Sequence, residues 1–185
     1  MESIYKKKPL FVGRKVSLES ATALRRFAHD LGLESALPAS DMHLTVLFSK
    51  KEVDWHDLVP NRNKVRVSLS HLDMFGEDKN VLVLKVKDYS FLSQRNQYYL
   101  DNGGHSDWPD YKPHITLSWK ANGHNIDMTR RFEEKITLEE EYFDDIHDTT
   151  DGYDPEETSL VQKPESVDEE TWKYVSRENR GLFVS

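Results

Sequence analysis

His43-Leu44-Thr45-Val46 and His114-Ile115-Thr116-Leu117 are two copies of one pattern, a histidine and a threonine separated by one aliphatic residue and followed by another. In an extended strand successive side chains alternate faces, so His43 and Thr45 point one way while Leu44 and Val46 point the other, and the second copy behaves alike. Outward from each copy the surroundings also match. Leu10 to Val16 reads as a strand, followed by a helix whose Leu24, Phe27, Ala28 and Leu31 recur at helical spacing, with Ser20 as N-cap and Gly32 as C-terminal stop. Met42 to Phe48 and Val65 to Leu69 complete a β-α-β-β series, and the second half repeats it with Val81 to Val86, a helix over Tyr89 to Leu100, His114 to Trp119 and a strand around Ile136 to Leu138. Phe11 to His43 and Leu82 to His114 are both 32 residues apart. The expected fold is α+β, with two pseudo-symmetric lobes of mostly antiparallel sheet lining a central cleft.

The 185 residues suit one domain, and a net charge of −8 looks unfavourable for a polyanionic ligand. The charge, however, is unevenly placed. Asp144 to Glu170 holds eleven acidic residues against the single Lys163, so the remainder is close to +2 and is able to host a nucleotide. The reading therefore divides the chain into a domain over 1–146 and an acidic extension over 147–185, partly disordered or docked on the body through Trp172, Tyr174, Val175, Leu182, Phe183 and Val184. The longest aliphatic run, Val81-Leu82-Val83-Leu84, is far below the ~18 residues of a membrane span, and no apolar segment follows Lys6-Lys7-Lys8. Neither membrane spanning nor secretion is expected. With no cysteine there is no thiol nucleophile and no thiolate metal site, which leaves histidine as the proton carrier at neutral pH.

Two such pairs facing each other supply two imidazoles to move protons and two hydroxyls to hold a phosphoryl oxygen. Phosphodiester cleavage needs that set: one neutral imidazole takes a proton from the attacking hydroxyl, the other, protonated, donates to the leaving oxygen, and the threonines stabilise charge on the non-bridging oxygens. No metal is required, and His29, His56, His71, His105, His124 and His147 show no zinc-ligand spacing and read as solvated surface. Trp108 and Tyr111, flanking Pro109 and Pro113 in the loop before His114, read as packing residues; Gly103-Gly104 reads as a helix C-cap, not a phosphate loop.

Two His-any-Thr strands about seventy residues apart resemble the two-histidine phosphoesterases. Leu37-Pro38-Ala39-Ser40-Asp41-Met42-His43-Leu44-Thr45, followed by Val53-Asp54-Trp55, and Asp107-Trp108-Pro109-Asp110-Tyr111-Lys112-Pro113-His114-Ile115-Thr116 resemble more closely the anti-CBASS phage nucleases that destroy cyclic oligonucleotide signals, over about Leu10 to Ile146. The resemblance implies metal-independent cleavage of the 3′-5′ bonds of cyclic di- and trinucleotides in the cytoplasm of the infected bacterial host. It implies His43, Thr45, His114 and Thr116 as catalytic residues, and Phe11, Phe75 and Glu141 as substrate-binding residues, with Glu141 in a run of three glutamates whose register can slip by one. A cyclic di- or trinucleotide is the expected partner, with no cofactor, no metal, no DNA duplex and no membrane; protein partners stay open. Two other readings keep the same residues: an enzyme acting on RNA 2′,3′-cyclic phosphates or 2′-5′ linkages, and a non-catalytic nucleotide-sequestering or structural phage module.

Overall fold

The computed structural model describes residues 7–76, 78–121 and 125–146. Six strands and two helices follow the order β1 (Lys8–Val16), α1 (Leu18–Asp30), β2 (His43–Val53), β3 (Val65–Phe75), β4 (Val81–Lys87), α2 (Ser90–Asp101), β5 (His114–Ser118) and β6 (Ile136–Asp145), with short 3₁₀ turns at Ala39–Asp41 and Trp55–Asp57. The acidic extension over 147–185, with its apolar end, lies outside the described residues.

All neighbouring strands pair antiparallel, in the closed order β1-β2-β5-β4-β3-β6. Exchanging β1, β2, β3 for β4, β5, β6 returns the same circle, so the repeat seen along the chain is a twofold in the topology. Its axis passes between β2 and β5 and again between β3 and β6. The α+β class and the antiparallel pairing are those expected, and the two lobes meet in one continuous sheet. Closure leaves no strand edge to protect.

Apolar burial explains the elements. Ala21, Leu24, Phe27 and Ala28 form the inner stripe of α1, and Leu92, Asn96 and Tyr99 that of α2. α1 lies against β5 and α2 against β2, where Asn96 Nδ2 donates to Val46 O at 2.8 Å. Leu44, Val46, Ile115 and Leu117 are fully buried in this core. The N-cap of α1 is Ser17, whose hydroxyl accepts from Ser20 N, not Ser20; the Ser20 hydroxyl instead accepts from Thr137 N at 2.9 Å and ties α1 to β6. Gly32 takes φ +86° one residue past the C-cap Leu31, a conformation that favours glycine.

Several strands run further than periodicity foretells, β2 among them, from Phe48 on to Val53. β3 continues past Leu69 to Phe75 because the pairing with β4 shifts between Leu69 and Leu72; the bulge breaks the alternation by which the strand is recognised. β6 continues past Leu138 through Glu139-Glu140-Glu141, a run too acidic to read as strand until its partners are known.

Candidate active site

β2 and β5 are neighbours, with Leu44 opposite Ile115. Antiparallel counting from that pair sets His43 beside Thr116 and Thr45 beside His114, on the face opposite the buried Leu44 and Ile115. The two imidazoles stand on a diagonal, for which a regular ladder gives about 7–8 Å between residues, a span that admits a phosphoryl group. His43 and Thr116 are buried; Thr45 and His114 are half-buried.

Each ring is oriented in the same way. His43 Nδ1 lies 3.2 Å from Asp41 O and His114 Nδ1 2.8 Å from Lys112 O, in both cases the carbonyl two residues earlier. A carbonyl only accepts, so Nδ1 carries the hydrogen and the lone pair of the neutral ring is on Nε2. The strand and its preceding turn thus select one tautomer at both positions. That tautomer can take a proton at Nε2 when neutral and give one there when charged.

An aromatic ring accompanies each histidine. Phe75, the last residue of β3, meets His114 edge-on at 4.8 Å, and Phe11 of β1 lies 5.9 Å from His43. Phe11 is buried in a small cluster with Phe48, Ile146 and Tyr142, separate from the main core. Gly13 makes room for it: a Cβ there would stand 2.7 Å from the Phe11 ring and 2.9 Å from Tyr142 Oη. Phe11 and Phe75, implied by the resemblance as substrate-binding residues, therefore border the two histidines.

Glu141 does not face this cleft. Its side chain is fully buried on the other side of β6, opposite Arg14, and accepts from Arg95 Nε and Nη2 at 2.9 Å each, from Asn61 N at 2.9 Å, from Tyr99 Oη, and from Arg14 Nη2 at 3.4 Å. Burial by itself would raise its carboxyl pKa, but the hydrogen bonds from Arg95, Asn61 and Tyr99 outweigh burial and hold it below the ordinary range. Arg95 is raised by the same hydrogen bonding, while burial lowers Arg14. The substrate-binding expectation for Glu141 thus falls on a buried side chain that ties α2, β1 and β6 together on the face away from the histidines. Register supplies the reason. The residue of β6 on the cleft side is the next one, Tyr142, whose ring lies 5.8 Å from Phe11 and whose buried hydroxyl has no hydrogen-bond partner among the described residues.

Three further side chains join the site that motif reading alone misses. Lys15 is opposite His43 and Lys85 opposite His114, so each lysine shares a face with a histidine. A signal for them exists in the sequence, since the lysines precede their histidines by 28 and 29 residues, within one of the same spacing. Tyr111 is not mere filling: its hydroxyl donates to Thr45 O at 2.8 Å and braces the first motif from the loop that leads into the second. Trp108, expected to pack, is 43% exposed. His29, His56, His71 and His105 are exposed as expected, while His124 and His147 lie outside the described residues. Among the described residues no group of three His, Asp or Glu side chains could hold a metal ion, and no helix is long and apolar enough to cross a membrane.

A closed antiparallel α+β sheet with two His-any-Thr strands side by side defines the two-histidine phosphoesterase fold. Solved structures agree on it: Escherichia coli LigT complexed with 3′-AMP aligns at TM-score 0.53 with 16% identity over 75% of this chain and 87% of that one. The TT0787 protein of Thermus thermophilus aligns at 0.54 with 19% identity over 73% and 86%. Within that class, the chain belongs to the Acb1 family of anti-CBASS proteins, whose family model matches residues 8–152. Anti-CBASS protein Acb1 of Enterobacteria phage T4 is 32% identical over 114 residues, covering 60% of this chain and 72% of that protein. The Yersinia phage phiR1-RT protein is 28% identical over 72% of this chain and 85% of its own length. The chain spans only 23% of the length of the Acb1 protein of Sphingomonas paeninsulae, to which it is 28% identical.

Proposed function

We propose that this chain is a metal-independent phosphodiesterase that opens the 3′-5′ bonds of cyclic di- and trinucleotide immune signals in the cytoplasm of the infected bacterium, on behalf of a phage. The observation that carries the reading is the matched pair of imidazoles on adjacent strands, each with Nδ1 held by a carbonyl and Nε2 left as its proton-exchanging nitrogen. Membership of the anti-CBASS family supports the class of signal, and the 3′-AMP bound by LigT is in keeping with a nucleotide phosphate in such a cleft.

One histidine, neutral, takes the proton of a ribose 2′-hydroxyl as O2′ attacks the adjacent phosphorus; the P–O5′ bond breaks and the other histidine, protonated, gives its proton to O5′. Because the attacking oxygen is already next to its phosphate, no water has to be captured in this step. The product is a linear nucleotide with a 2′,3′-cyclic phosphate end, and the two histidines have exchanged protonation states. They are then set to run the second step in reverse roles, with water as nucleophile and O2′ as leaving group. Thr45 and Thr116 donate to the non-bridging oxygens as charge grows on them.

The test is chromatography of the products after incubation with a panel of cyclic di- and trinucleotides and short RNAs in EDTA. Linear products from the cyclic nucleotides support the reading. Cleavage confined to RNA ends, activity that returns only with added Mg²⁺ or Mn²⁺, or binding without turnover would each overturn it.

A further inference from the structure

The halves of the barrel repeat one feature besides the His-any-Thr pairs. In β1, Gly13, Arg14 and Lys15 lie opposite Thr45, Leu44 and His43; in β4, Val83, Leu84 and Lys85 lie opposite Thr116, Ile115 and His114. Of these three matched positions only the lysine keeps its residue type. Residues directly opposite on an antiparallel pair share a face, with Cβ atoms about 4.5–5.5 Å apart. A lysine side chain therefore leaves the sheet beside each histidine, on the side away from the other histidine.

Two ordinary explanations for strand lysines do not apply. Lysines on a sheet edge deter pairing with other chains, but β1 and β4 are inner strands of a closed barrel. Surface lysines hold their amines in open water, yet both residues are half-buried. Each has an acidic neighbour, Asp41 for Lys15 and Asp73 for Lys85, and each ammonium has three N–H donors to share. Lys15 Nζ is 3.5 Å from Ser40 O and 5.5 Å from the centre of the Tyr142 ring, and Lys85 Nζ is 3.8 Å from Asp73 Oδ2 in a pair whose side chains are 28% and 42% exposed. Two amines on one face repel each other, and an anion lodged among the four groups relieves that repulsion.

We propose that Lys15 and Lys85 are phosphate-binding residues, one beside each histidine, that hold the non-bridging oxygens of a phosphodiester lodged between His43 and His114. The inference rests on the phosphodiesterase reading for its substrate, and on the strand register for its geometry. His43 is faced by Lys15 from β1, Asp41 from the preceding turn, Tyr142 and Asp144 from β6 and the His114 pair from β5. His114 is faced by Lys85 from β4, Asp73 from β3, Lys112 from its own loop and the His43 pair from β2.

The experiment uses the full chain and needs no turnover. The imidazole Cε1–H NMR signals of His43 and His114 are followed at fixed pH in the wild type and in Lys15→Met, Lys85→Met, Lys15→Arg, Lys85→Arg and Lys64→Met, Lys64 being an exposed lysine elsewhere. Inorganic phosphate is titrated into each. Phosphate is expected to move both imidazole signals in the wild type, and Lys15→Met and Lys85→Met to need more of it for the same change. Each should weaken phosphate binding about fivefold, with the arginine variants and Lys64→Met close to wild type. Should Lys85→Met unfold because Asp73 loses its partner, Lys85→Met with Asp73→Asn gives the same measurement. Unchanged phosphate affinity in folded variants overturns the proposal, as does equal weakening by Lys64→Met. Failure of the phosphodiesterase reading appears separately, as absent turnover of cyclic nucleotides by the wild type, and leaves the phosphate-binding result to stand or fall alone.

Discussion

Arg95 grips Glu141 through two parallel hydrogen bonds, Nε to Oε2 and Nη2 to Oε1, both 2.9 Å long. The pair joins α2 to β6, and Arg14 brings β1 into it, so the network crosses from one half of the chain to the other. Removing one partner of a buried pair leaves an uncompensated charge, so Glu141→Gln should destabilise the fold by about 3–5 kcal/mol. The carboxyl pKa is held below its ordinary value in the folded state. Its contribution is therefore complete above the unfolded value of about 4.3 and is lost as pH falls through the depressed folded value. Urea unfolding of the wild type and Glu141→Gln across the acid range should converge as pH drops. A stable variant with weakened substrate binding would instead place Glu141 at the ligand.

One histidine must be neutral and the other charged at the same moment, so turnover should be bell-shaped in pH, with limbs that belong to the pair and not to either residue. His43→Ala and His114→Ala should each lower turnover ~10²–10⁴-fold, and the double variant should lose much less than the product of the two. Thr45→Ala and Thr116→Ala remove one hydrogen bond to a charged oxygen and should cost about 1.5–3 kcal/mol of transition-state stabilisation. All four should unfold near the wild-type temperature, since the core-facing residues of these strands are Leu44, Val46, Ile115 and Leu117. Turnover and thermal unfolding measured on the same samples check this; full activity in either histidine variant rejects the assignment.

Substrate chemistry offers a second check. With O2′ as nucleophile, a 2′-deoxy cyclic dinucleotide should be inert while the ribose form first accumulates a 2′,3′-cyclic phosphate. Phosphorus NMR of the reaction distinguishes that intermediate from a simple monoester. Normal cleavage of the deoxy substrate would show that water attacks the original bond.

Gly13→Ala should disturb the cleft and spare the fold. The added Cβ would meet the Phe11 ring at 2.7 Å and Tyr142 Oη at 2.9 Å, so both side chains must swing away from the place beside His43. Phe11 and Tyr142 belong to the small cluster with Phe48 and Ile146, not to the main core, so unfolding by heat should change little. The expected kinetic result is a KM raised several-fold with kcat less affected, measured by initial rates. An unchanged KM would show that neither ring touches the substrate.

The local pattern determined what local physics controls. Alternation around His43-Leu44-Thr45 and His114-Ile115-Thr116 fixes which side chains share a face, whatever the partner strand is, and the 32-residue spacing carries the internal repeat. The order of elements and the antiparallel class are legible from those features, whereas the aromatic ring beside each histidine is seen only in the folded chain. Other facts depend on which strands meet and in what register, and no single strand encodes that. The bulge between Leu69 and Leu72 hid half of β3 from a period-two reading. Three consecutive glutamates in β6 could not be told apart until Arg14 and Arg95 proved to lie on one side of the strand, and Phe11 with Lys15 on the other. Glu141 went to the interior and Tyr142 to the cleft because a one-residue step in a strand turns a side chain to the opposite face. The lysines beside the two histidines became neighbours only through the pairing of the strands, which brings residues 28 and 29 positions apart in the chain directly opposite each other.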